Sequence, residues 1–313
     1  MLGVLATVLL PIIVVVAAGY LLRQQMPIDL LTLNRITMYV LNPALVFTSL
    51  VDAQVSGGDA LRMVALSCAL MVCLGLITMA CGRGLGLRGG QLSALLLACL
   101  FMNTGNFGLP LAHFAFGEAG FERAVLFFLP QSILSQTIGI GVAAAGASAA
   151  ASARDHARTV VLRVLRMPQI YAVALALLVR ASGLRMAQAG GALGGLYHGV
   201  DLMADAALPL MLLVLGMQLA QRAASFEQPR LTALAVAMRL VVSPLVAAGL
   251  ALALGMQGLD MRVGVLQAAM PTAVNMTLIA LEFNIHPPFV VSAVVASSLG
   301  SLLTLAVIIT MMQ

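Results

Sequence analysis

The chain has 313 residues, 62% of them hydrophobic and only 9% charged, with a mean hydropathy of +1.07. The apolar residues come in runs of about 20 between short charged loops, the length of a helix crossing a bilayer, which excludes a soluble domain and a barrel with alternating strands. The formal charge of +5 is carried by arginine alone, and most of it lies beside apolar runs, where it serves topology and not a nucleic-acid partner.

Runs and breakers divide the chain into ten segments: 2–22, 32–51, 61–81, 91–117, 121–148, 168–182, 200–221, 231–255, 261–284 and 288–311. The first has no basic residue before it and meets Arg23 after it, the reverse of a cleaved signal peptide, so it reads as a retained helix. Arg23, Arg83, Arg88, Arg154, Arg158, Arg163, Arg166, Arg222 and Arg230 then collect at one end. The other end holds fewer arginines, offset by Asp52, Asp59, Glu118, Glu122, Asp201 and Asp260. The positive-inside rule makes the arginine-rich end cytoplasmic and puts both termini outside, in a multi-pass protein of the cell (inner) membrane.

The fourth segment carries Asn103-Thr104-Gly105-Asn106-Phe107-Gly108-Leu109-Pro110 where lipid is driest. Pro110 cannot donate to the carbonyl of Asn106, and backbone freed inside a membrane survives only where protein or a wet cavity covers it. A broken helix with a binding site at the break is the expectation. The ninth segment has a matching break at Met270-Pro271-Thr272-Ala273-Val274-Asn275, and Asn42-Pro43 and Leu208-Pro209 interrupt the second and seventh. The Ala/Ser-rich, basic connection 149–167 separates a first half, 1–148, from a second, 168–313. Five segments is an odd number, so similar halves would be inverted, and matched interrupted segments are the sequence pointer to a transport site. The expected fold is an all-α integral membrane protein of ten transmembrane helices in two inverted five-helix repeats. Segments 1, 2, 6 and 7 would form a scaffold, and 3–5 with 8–10 a transport core.

The fourth-segment Asn-Thr-x-x-x-Gly-x-Pro and the run from Met270 through Glu282-Phe283-Asn284-Ile285-His286 to Pro287 resemble the auxin efflux carrier family, which includes plant PIN-FORMED carriers and bacterial permeases. Pro43, Pro209 and Arg239-Leu240 with Pro244 extend the resemblance over nearly the whole chain. It implies ten-helix inverted-repeat carriers of small organic anions, malonate-, malate- or auxin-like, with two helices crossing at prolines. Related carriers are often dimers, which leaves a homodimer open. The long central domain of many plant members is missing here.

The substrate-binding candidates are Asn103, Thr104, Asn106, Pro110, Pro271, Thr272 and Asn275. Asn103 matches the family's crossover asparagine, and its amide can donate to a carboxylate; capping a half-helix is its alternative use. Asn275 lies one turn after Pro271, and Pro110 and Pro271 are crossover prolines by resemblance. Half-helix N-termini beyond the breaks would offer partial positive charge to an anion. No acidic residue falls within the breaks, unlike related cation antiporters. Four further residues are candidates for coupling or charge roles. Arg239 lies about 13 Å into its segment by helical rise, where it could attract an anion, pair with Glu282 or snorkel outward. Asp205 stands one turn before Pro209, and His113, one turn past the stretch Asn106 to Pro110, could titrate near neutral pH or simply pack. Arg35, nearer a helix start, reads as snorkelling.

No metal or cofactor is expected: the four cysteines lack zinc-type spacing, and the methionines read as filler. With no lysine there is no phosphate-binding loop, so the energy source would be an electrochemical gradient. A membrane enzyme is disfavoured because no nucleophile motif or acidic dyad occurs at depth. A sensor or channel using the same broken-helix site, or a carrier of another small solute, stays open.

Overall fold

The computed structural model describes residues 3, 5–147, 162, 164–220 and 228–312. Most of the connection 149–167, with Arg154, Arg158 and Arg163, lies outside the described residues, as does Arg222. Among the described residues the fold is helical: α1 (Ala6–Gln25), α2 (Leu30–Asp52), α3 (Gly57–Gly84), α4 (Gly89–Leu100), α5 (Thr104–Gly146), α6 (Pro168–Ala181), α7 (Gly191–Ala220), α8 (Pro229–Ala253), α9 (Gly258–Ala268), α10 (Asn275–Glu282) and α11 (Pro287–Met312). Seven of these, α1, α2, α3, α5, α7, α8 and α11, are long and apolar enough to cross a membrane.

The expected fourth and fifth segments meet at a single residue. Gly117 has φ 66° and ψ −163°, a conformation side chains resist, and it alone turns the chain between 104–116 and 118–146 within α5. The upstream break lies at 101–103, before the proline expected to cause it.

Several prolines bend helices without ending them. Wide turns at Leu5–Leu9, Thr37–Leu41, Thr104–Gly108 and Met238–Val242 each stop two residues short of Pro11, Pro43, Pro110 and Pro244. A proline ring collides with the carbonyl four residues back; an extra residue in the turn moves that carbonyl aside, so the helix continues. Asn42 accordingly donates its N–H to the Thr37 carbonyl, Leu109 to that of Thr104 and Ser243 to that of Met238, five residues back in each case.

Two reciprocal pairings organise one side of the molecule: α1 lies along the second part of α7, and α6 along the second part of α2. The α1–α7 contact is close because Gly19 and Gly216 face opposing backbone; a Cβ on either would overlap the carbonyl oxygen of Leu213 or of Val16. Where lipid is as apolar as the side chains, such close approach supplies the association energy. On the other side α5 packs against α3, α4 and α9, α8 against α9 and α3, and α11 against α8, α10 and α4. Half-buried Arg123 pairs with Asp260 to tie α5 to α9.

Candidate functional site

The helices α4 and α9 both stop in the interior, and the chain crosses itself there. Residues on either side of Met102 and Thr272 pair antiparallel: Asn103 donates its N–H to the Pro271 carbonyl, and Ala273 donates to that of Phe101, each at 2.9 Å. The chain then re-enters helix at Thr104 and at Asn275. Two helices ending inside a membrane leave carbonyls that cost several kcal/mol each if unmet. Here side chains meet them. Arg239, 0% exposed, donates to the carbonyls of Cys99 (3.2 Å), Ala268 (2.9 Å) and Met270 (2.7 Å) and to the Ser243 hydroxyl (3.2 Å). Ser243 Oγ donates to Ala268 at 2.7 Å, Thr272 Oγ1 to Ala98 at 2.7 Å, and Gln267 Nε2 to Gly108 at 2.8 Å. A Cβ at Gly108 would overlap Gln267 Oε1, so a side chain there would displace the Gln267 amide from its bond.

A cavity of about 380 Å³ opens from the crossing toward the arginine-rich end. Its lining brings together Asn103, Thr104 and Asn106 from one helix start and Asn275 from the other, as expected. Both N-terminal ends therefore present their partial positive charge to the same space. Asn103 is 5% exposed, and its side-chain Nδ2 has no partner among the described residues. Opposite it, Gln131 is 3% exposed and donates Nε2 to the Ser67 carbonyl at 3.1 Å. That bond fixes the amide orientation and leaves Gln131 Oε1 as an unpartnered acceptor on the cavity wall. At the rim, Gln169 on α6 donates to the Ser132 hydroxyl on α5 at 2.6 Å, and exposed Arg35 and Glu282 line the approach.

Several candidates stand elsewhere. Pro110 is buried beyond the wide turn, about two helical turns past the crossing, and lines no part of the cavity. Pro271 is at the crossing, yet it contributes its carbonyl to Asn103 and not its ring to the cavity. Thr272 is fully buried, with its hydroxyl committed to α4. Arg239 neither snorkels nor pairs with Glu282; its donors go to the ends of α4 and α9, because those orphan carbonyls lie nearer than any carboxylate among the described residues. Asp205 and His113 line a separate cavity of about 450 Å³ at the acid-rich end, with Asp52, Glu118, Glu122 and Asp201. His113 Nδ1 lies 3.3 Å from Glu118 there. Arg35, Gln131 and Gln169 are among the cavity residues to which the sequence alone gave no site role. Their signal was only a polar letter on an apolar helix, which interhelical bonding explains equally well.

Two interior helix ends, a cavity at their crossing and this many apolar spans are the anatomy of a carrier. The model of the membrane transport protein family matches residues 4–309. The chain belongs to that family, which includes the auxin efflux carriers. It is 31% identical over 300 residues to an uncharacterized transporter of Methanothermobacter thermautotrophicus, covering 95% of this chain and 94% of the relative. An uncharacterized transporter of Methanocaldococcus jannaschii is 23% identical over 278 residues, 88% of this chain and 87% of that one. Auxin efflux carrier component 1 of Arabidopsis thaliana is 32% identical over 104 residues, 33% of this chain but 17% of the plant protein. The chain is thus a multi-pass membrane transporter of the auxin efflux carrier family.

Proposed function

We propose that this transporter carries a small organic anion by alternating access, holding its carboxylate at the crossing against Asn103. The observation that carries this reading is the unpartnered Asn103 Nδ2, buried in a cavity that both interior helix starts face. A buried donor left unmet is costly, and a carboxylate oxygen would meet it with a charge-assisted bond. The cavity's 380 Å³ lies within the roughly 300–1,000 Å³ of small-molecule sites. Malonate- or malate-like acids suit the polar wall. The plant relatives are named for auxin efflux, and an auxin-like carboxylate would make the same bond.

The inverted repeat belongs to this reading. The antiparallel crossing, the matched helix ends and the reciprocal α1–α7 and α2–α6 packing support two five-segment halves of opposite orientation. The scaffold would be α1, α2, α6 and α7, and the rest the moving core. Two separate cavities, about 380 Å³ at the crossing and about 450 Å³ among the acidic residues of the other end, fit a path opened to the two faces in turn. With the arginine-rich end cytoplasmic and both termini outside, the Asn103 cavity faces inward.

The test is uptake of labelled malonate, malate, short monocarboxylates and indole-acetate into proteoliposomes under imposed pH and voltage gradients, wild type beside Asn103→Ala. Saturable accumulation of one anion, with counterflow, that the folded variant loses is the expected result. If wild-type protein moves none of them, the anion reading fails, and a sensor, a channel or another solute takes its place.

A further inference from the structure

Helix ends carry about half an elementary charge each, positive at the start and negative at the finish. At this crossing four ends meet within a few residues: the finishes of α4 and α9 and the starts of α5 and α10. Left alone, two of about −0.5 and two of about +0.5 would cancel, and the crossing would show an anion no preferred sign. Arg239 breaks this balance. Its guanidinium, with no exposed surface, takes carbonyls of both finishing helices, Cys99 on α4 and Ala268 with Met270 at the end of α9. No carboxylate among the described residues forms an ion pair with it, so its charge is set against those carbonyls. One unit of positive charge is what the two negative ends require.

We propose that Arg239 is the positioning residue that makes the crossing select anions: it offsets the C-terminal ends of α4 and α9, so that the starts of α5 and α10 set the sign of the potential at Asn103. Arg239 does this without touching substrate, since it lines neither cavity. The inference rests on the anion reading given above and adds what enforces it. A guanidinium suits the task because its fixed fork serves carbonyls on two helices at once, while a lysine ammonium supplies the charge from a single point.

The experiment uses the full chain, purified and in proteoliposomes. It measures the ratio of affinity for malonate, malate or indole-acetate to affinity for the corresponding neutral amide, together with thermal stability. Arg239→Lys keeps the charge and is expected to keep the wild-type ratio within about threefold, though with lower stability. Arg239→Gln is expected to lower the ratio about tenfold or more. That variant orphans several carbonyls, so a second neutralising change is needed that leaves them satisfied. Cys99→Asp is that change: Cys99 is buried in the last turn of α4, where its carbonyl accepts from Arg239 at 3.2 Å, and an aspartate there would offset the guanidinium's charge while keeping the arginine. It too should lower the ratio about tenfold. If either neutralising variant folds and keeps the wild-type ratio, Arg239 is only a backbone cap and the proposal is wrong, while anion transport by the wild type still stands. If the wild type itself prefers no carboxylate over its amide, the anion reading falls first and takes this one with it.

Discussion

Thr272→Val separates the crossing's architecture from its chemistry. Thr272 stands in the second break, where the sequence suggests a substrate contact, yet it has 0% exposure and donates its hydroxyl to Ala98 at 2.7 Å. Ala98 is in the last turn of α4, which ends at Leu100, so its carbonyl has no helical donor of its own. Valine keeps the shape and removes the donor, leaving one buried carbonyl unmet at a cost of about 1–3 kcal/mol. The bond between the Thr272 N–H and Ser297 Oγ at 3.1 Å survives, so the extended crossing persists. Thermal unfolding followed by size-exclusion chromatography in detergent should show a midpoint several degrees lower. Thr272→Ser should recover most of the loss. Affinity for the transported anion, measured on the folded fraction, should stay within about twofold of wild type. A tenfold loss of affinity with an unchanged midpoint would refute the assignment of this hydroxyl to α4.

Three further substitutions probe other parts of the argument. Asn103→Ala removes a buried donor that has no partner among the described residues, so it should weaken anion binding by about 1.5–3 kcal/mol, roughly 10- to 150-fold. Its unfolding midpoint should not drop by more than a degree or two, and a large drop would mean that Asn103 serves structure. Gln131→Leu removes the acceptor on the cavity wall and the amide's bond to the Ser67 carbonyl, which lies mid-helix in α3; competition assays should show weaker binding of hydroxyl-bearing acids such as malate relative to malonate, and an unchanged ratio counts against that wall as a subsite. Gly216→Val forces a branched side chain into the Val16 carbonyl, so α1 and α7 must separate. A loss of more than 3 kcal/mol or failure to recover folded protein is expected, and a stable variant would show that this contact is looser than its geometry implies.

The membrane class, the helical fold and the presence of two interior breaks were legible from composition and spacing, whereas the ten expected segments stand against seven helices long and apolar enough to cross a membrane among the described residues. Those properties follow from the solvent: lipid demands long apolar helices, and each interruption of one is conspicuous. Asn103 and Asn275 could be singled out for the same reason, as amides at depth beside a break. What a letter does in the interior was not legible. Arg239, Thr272 and Ser243 satisfy carbonyls of helix ends distant in sequence, Thr272 reaching back 174 positions to Ala98, and Gln267 reaches the Gly108 carbonyl at the wide turn of α5. Only the fold decides which orphan lies within 3 Å. Pro110 misled for a local reason: a proline marks a bend or a break equally well in sequence, and the wide turn at Thr104–Gly108 makes this one a bend. The two cavities were likewise decided by packing, which set Asn103 and Gln131 on one and Asp205 and His113 on the other. Sequence alone thus determined that this chain spans a membrane and breaks its helices twice at depth. Tertiary structure decided which side chains close those breaks and which are left open to a solute, because hydrogen bonding depends on distances that spacing along the chain does not contain.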